Sequence, residues 1–200
     1  MALGLMTMDP AHPDQEEAPM ATTEPSSADR VRKVFAGYTG LYAPSVIAEA
    51  AQLLDALLDT AEQHGYGRQD EAAGWLVTAA AEAVSSKCRS TSGKRSYDEV
   101  NALTSTLTRE LTARGLTLAP SAGRGAVAVE PVAGGPSWGL SGRAGLAVSL
   151  YTDGGWDITV NQLQSRVHAV HAPVTAEGAK EVADIVHGIL HGMIADPFRR

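Results

Sequence analysis

The amino-acid sequence predicts an α+β fold: helices first, then an antiparallel sheet, then one closing helix. Three observations predict it. Residues 44–61 and 100–111 repeat apolar side chains at spacings of three and four, the period of a helix with one buried face. Residues 123–160 contain a near-repeat. Gly123-Arg124, Val127-Ala128-Val129, Gly134-Gly135 and Trp138-Gly139-Leu140 are echoed by Gly142-Arg143, Leu146-Ala147-Val148, Gly154-Gly155 and Trp156-Asp157-Ile158. Each copy has the composition of a β-hairpin, with an alternating apolar strand, a glycine turn and a return strand opened by tryptophan. The expectation is therefore two tandem hairpins plus one strand. Finally, Val182, Ile185, Val186, Ile189 and Met193 form an apolar stripe suited to cover one face of that sheet.

Taken in order, residues 1–28 hold Asp9, Asp14, Glu16, Glu17 and Glu24, lack lysine and arginine, and show no apolar period, which predicts a disordered acidic tail. Ala28 to Tyr38 reads as a short helix with Val31, Val34 and Phe35 on one side, cut off by Gly37 and Gly40. Pro44 suits a first helical position, and Ile47, Ala50, Ala51, Leu54, Leu57, Leu58 and Ala61 continue that helix to Gly65. Asp70 is placed to cap a second long helix, antiparallel to the first, with Trp75, Leu76, Ala79, Ala83 and Val84 inward. Ser96 and Glu99 form a capping-box pair ahead of Val100, Leu103, Leu107 and Leu111, and Gly115 stops that helix. In the second hairpin Leu146, Val148 and Leu150 face Trp156, Ile158 and Val160, while Ser149, Tyr151, Asp157, Thr159 and Asn161 give a polar reverse. A strand from Arg166 to His171 precedes Pro173 and a last helix capped by Thr175. Residues 29–95 are thus a helical region ending in a basic loop and 96–200 an α+β region, expected to form one domain.

From the Ser96 helix to the Thr175 helix the order of helix, strands and helix resembles that of double-stranded RNA-binding domains, and Ala179-Lys180 is similar to a pair in their last helix. Thr175-Ala176-Glu177 is neutral to acidic where that family carries a basic cluster, so the likeness is one of topology.

A chain of 200 residues with 44% apolar content is long enough to bury about 70% of its unfolded surface in one core. Its single cysteine, Cys88, excludes an internal disulfide, and no apolar run reaches the roughly 18 residues of a membrane-spanning helix. With no basic, long-apolar leader at Met1 to Met6, a cytoplasmic protein without membrane partners is expected. Five of the seven net negative charges lie in the first 28 residues, leaving the remainder near neutral.

The sharpest local anomaly is Lys87-Cys88-Arg89-Ser90-Thr91-Ser92-Gly93-Lys94-Arg95-Ser96, which has four cations, no acid, and a helix start at its end. Free backbone N–H groups and the positive helix end would add to Lys87, Arg89, Lys94 and Arg95 in holding an anion, with Ser92 and Ser96 as further donors. Gly93-Lys94 does not complete a Walker motif, since Cys88 stands where the first glycine belongs. Asp184, His187 and His191 lie along one edge of the last helix and are the candidate metal ligands, although a closed site needs further donors. His168 and His171, three apart on a strand, point to opposite faces, so at most one could join. Cys88 between Lys87 and Arg89 is the candidate reactive thiol. No cofactor motif is present.

The function expected from these residues is a non-enzymatic accessory or regulatory protein contacting nucleic acid or another polyanion through the basic loop, helped by Arg30, Arg32 and Lys33. The alternatives are a protein-interaction module or homodimer docking through the Gly188/Gly192 face of the last helix, and a metal-dependent enzyme.

Overall fold

The structure, a computed structural model, describes residues 24–38, 40–68, 71–90, 93–120, 123, 125–136, 145–160 and 163–198. Its elements are α1 (Ser27–Phe35), β1 (Leu41–Tyr42), α2 (Pro44–Gln63), α3 (Glu71–Ser90), α4 (Tyr97–Ala113), β2 (Ala126–Val129), β3 (Leu146–Leu150), β4 (Trp156–Val160), β5 (Leu163–His171) and α5 (Ala176–Leu190). The expected α+β class is what forms. The sheet runs β1-β5-β4-β3-β2, antiparallel throughout except for β1, which pairs parallel to β5 through Leu41–Val170 and Tyr42–His171.

Local chemistry sets most helix ends. Ser26 starts α1 by accepting the Asp29 N–H, so that helix begins inside the stretch expected to be a tail. Ser96 and Glu99 satisfy each other's backbone N–H groups at α4, Gly115 follows the helix at φ 77°, and Thr175 accepts the Gly178 N–H at α5. Helix α2 is different: its cap residue, Ala43, offers no side-chain acceptor. Glu181 of α5 takes that role, accepting from the Ser45 N–H at 2.8 Å and the Ser45 hydroxyl at 2.5 Å. The expected cap Asp70 lies outside the described residues.

Helix α3 buries another face than the one expected. Ala73, Val77, Ala80, Ala81 and Val84 are buried, whereas Trp75 is 73% exposed and Ala79 and Ala83 face solvent. The small stripe lets α1 and α2 approach closely.

The hairpin region is a meander. Strand β2 pairs with β3, Val127 opposite Val148, and β3 with β4, Val148 opposite Ile158. The return strand expected at Trp138 to Leu140 lies outside the described residues, but β2 has its neighbour without it. At the β3–β4 turn, Gly154 serves by size: a Cβ there would sit 3.2 Å from the Tyr151 Cβ.

Trp156, Ile158, Val160, Leu146, Val148 and Leu150 face α4 and α5, and Trp156, 1% exposed, donates its indole N–H to the Pro173 carbonyl at 3.2 Å. One apolar cluster runs from Val31 through Leu54 and Val84 to Ile158 and Val186, so the front helices and the sheet share a core. Among the described residues no helix is long and apolar enough to cross a membrane.

Candidate functional site

The run expected as a basic loop is in part helix, since Lys87 to Ser90 form the last turn of α3, and three of its expected contact residues, Lys87, Arg95 and Ser96, are engaged with the protein itself. The Lys87 ammonium ion-pairs with Glu49 of α2. The Arg95 guanidinium donates to the Gly154 carbonyl at 2.8 Å and the Tyr151 carbonyl at 3.3 Å, and its backbone N–H donates to Thr152 at 2.6 Å. This stitches the loop to the β3–β4 turn. Ser96 is committed to its capping box, where Asp98 and Glu99 already place carboxylates in the first turn of α4. Bonds from Ser96 hold the Glu99 carboxyl below its ordinary range. Lys94 is exposed; Ser92 and the Arg89 side chain lie outside the described residues. Of the further cations, Arg32 pairs with Asp29 at 2.8 Å and Arg30 donates to the Arg68 carbonyl at 3.3 Å.

On the histidine edge of α5, Asp184 is likewise engaged within the protein. Arg114 of α4 binds Asp184 at 2.7 Å and Glu110 at 3.0 Å, tying the two helices together. The His187 and His191 rings lie 4.2 Å apart, and burial, then His191, then Arg114, push the His187 imidazole below the usual histidine range. Among the described residues no group of three or more histidine, cysteine, aspartate or glutamate side chains is placed to hold a metal ion. Gly188 does admit a close neighbour, but the neighbour is this chain's own Ile194, whose side chain would lie 2.7 Å from an added Cβ. The Cys88 thiol is pushed up, first by burial and then by Glu49, with Lys87 opposing, so it is a poor thiolate.

A different constellation forms around His171. This residue ends β5 and is 4% exposed; its register with Tyr42 puts the phenol flat on the imidazole, centroids 4.4 Å apart and planes 6° off parallel. Phe35 stacks on the other face of Tyr42 at 3.8 Å and 12°. The two-residue strand β1 exists to set this stack, and the Ala43 N–H bond to the His171 carbonyl at 2.9 Å fixes it. Gly40 supplies room, since a Cβ there would lie 3.0 Å from His171 Cδ2 and Nε2. From α3, the buried Ser85 hydroxyl meets His171 Nδ1 at 3.3 Å.

His171 is a wall of two cavities. The larger, about 510 Å³, is lined by Gly37, Tyr38, Tyr42, Glu82, Ser85, Ser86 and His171. At its rim the Tyr38 hydroxyl donates to Glu82 at 3.3 Å, and burial, then that carboxylate, push the phenol upward. The smaller, about 290 Å³, lies between the end of α3 and the β3–β4 turn, with Cys88, Asp153, Trp156, Asp157 and Ala169 among its walls. Asp157 is half-buried on the reverse of the sheet, opposite Ser149 and Ala169, and burial alone pushes its carboxyl up. The same strand separates its neighbours as alternation requires: His168 turns the other way and meets Phe198 edge-on at 4.9 Å.

No protein-family model, curated protein or solved structure matches this chain, so the geometry above is what bears on function.

Proposed function

We propose that the chain is a non-enzymatic binding protein whose ligand occupies the larger cleft beside His171. The observation that carries this reading is the buried His171–Ser85 pair at the wall of an open cleft of about 510 Å³, where Tyr38, Ser86 and Glu82 add polar groups around a rigid aromatic stack. Concave sites with a few convergent polar groups on fixed elements are the usual form of small-ligand sites. The cleft is assembled from the segment after α1 and from β1, α3 and β5, so side chains from distant parts of the chain meet in it. Ser86 is exposed at its wall, so Ser86→Phe should fill the cleft and spare the core. Ligand-observed NMR with a panel of small aromatic and amine fragments should give binders that Ser86→Phe abolishes. Fragments that bind both proteins equally, or none that binds either, refute the reading.

A second reading keeps the polyanion contact at the basic loop, and one observation favours it. Tyr97 and Tyr151, 66% and 52% exposed, flank Lys94 and Arg95, supplying ring faces next to cations as single-stranded nucleic acid requires. It requires retention of an oligonucleotide at low salt that fades steeply as salt rises, and that strengthens when residues 1–23 are removed. Absence of retention by either protein ends it.

A further inference from the structure

We infer that the ligand carries a protonated amine or guanidinium, which enters the smaller cavity against Asp157; this rests on the His171 cleft being the binding site. Both cavities share His171, and their charged walls have one sign. Glu82 borders the larger, and Asp153 and Asp157 the smaller, while among the described residues no lysine or arginine lines either. Of the cations near these walls, Lys87 is committed to Glu49, and the Arg95 guanidinium to the carbonyls of Tyr151 and Gly154 at the turn bordering the smaller cavity. Tyr38 and Tyr42 border the larger cavity, Cys88 the smaller and His171 both.

Asp157 is the group that asks for a partner. Among the described residues it has no hydrogen bond and no ion pair, although it is held half out of water between two strands. A carboxylate moved part-way out of water gains from a partner of opposite charge. Nothing in the folding of the sheet needs it, because its neighbours across the ladder are Ser149 and Ala169, and a threonine of the same kind serves at 159. A cationic head would supply the missing partner. The cavity, at about 290 Å³, has room for it but not for a large body, which would remain beside His171.

The experiment titrates the full-length protein with three phenols of one shape and different charge: tyramine, 4-ethylphenol and 4-hydroxyphenylacetate. Tyramine should bind about tenfold more tightly than the acid, the scale of one partly screened ion pair. Asp157→Asn should fold and bring the three affinities together. Equal affinity of the wild-type protein for all three overturns the inference and leaves the cleft reading standing. A preference for the acid overturns it outright, as does a tyramine preference unchanged in Asp157→Asn. If none of the three binds while other fragments are still lost on Ser86→Phe, the inference fails alone; if those fragments fail too, both fall.

Discussion

The bond from Glu181 to the start of α2 gives the most direct test of how this fold is held. Glu181→Ala would leave the Ser45 N–H and hydroxyl without the carboxylate that accepts both, at a helix whose own cap residue is alanine. Losing a side-chain cap costs about 0.5–2 kcal/mol. A bond to a charged acceptor is worth about 1.5–3 kcal/mol, and leaving a half-buried donor unpaired adds to the loss. These overlap, since both oxygens serve one turn, so the expected cost is about 2–3 kcal/mol. For a domain of this size that lowers Tm by about 4–12 °C. Ser45→Ala removes only the hydroxyl bond and should cost about 1 kcal/mol. Urea unfolding of the two variants and the double variant should show falling midpoints at constant slope, with the double variant losing less than the sum by about 1 kcal/mol. Glu177→Ala, exposed in the first turn of α5, is the control and should stay within about 0.5 kcal/mol. Additive losses, or a Glu181→Ala effect no larger than the control, would refute the trans-cap.

Three further outcomes are expected. Trp75→Ala should change stability by less than about 0.5 kcal/mol, because the indole is 73% exposed, whereas Trp156→Ala, at 1% exposure, should cost about 3–5 kcal/mol; the same urea titrations decide it. Gly178→Ala would place a Cβ 1.7 Å from the Pro173 carbonyl oxygen at the start of α5, so the backbone must move and calorimetry should show a loss of about 2–4 kcal/mol. Burial and the charges of His191 and Arg114 hold the His187 imidazole below the usual range, so the fold favours its neutral form. The unfolded chain then takes up that proton first as pH falls, so the contribution of His187 is full above about pH 6.5, shrinks as pH falls from there to the lowered folded value, and is gone below it. Denaturation at about pH 7.5 and 5.5 should show this loss and His187→Asn should reduce it; an unchanged pH dependence in the variant would refute the assignment.

The elements legible in the sequence are those whose determinants lie within a turn of one another. Ser96 with Glu99, Thr175 with Gly178 and Gly115 after α4 act over four residues or fewer, and each appears in the structure where the sequence places it. The buried face of α3 was not legible, because one tryptophan outweighed a stripe of small residues in setting the phase. Trp75 has more apolar area than Ala73, Ala80 and Ala81 together suggest, yet helices that pack closely bury the smaller side chains and leave the large one out. The meander shows a similar limit. Glycine turns mark where strands end, but whether β2 pairs with a near strand or with β3 is decided across sixteen intervening residues (130–145), by the match of Val127 with Val148 and Val129 with Leu146.

Why the candidate site escaped a linear search follows from the same distances. Phe35, Tyr42, Ser85 and His171 come from four helical or strand segments, and the Ser85–His171 contact spans 86 positions. Strand β1, which aligns Tyr42 with the imidazole, has two residues and therefore no period to detect. The basic loop was conspicuous for the opposite reason: its charges are adjacent in sequence, while the groups that engage them, Glu49 and the carbonyls of Tyr151 and Gly154, are far along the chain. A run of like charge predicts a free electrostatic surface only if the fold supplies no acceptors. Here it supplies them for Lys87 and Arg95, whereas the half-buried Asp157 carboxylate on the reverse of the sheet has no hydrogen bond or ion pair among the described residues. Local charge density and unmet charge are different quantities, and the unmet one is the better guide to what a ligand must bring.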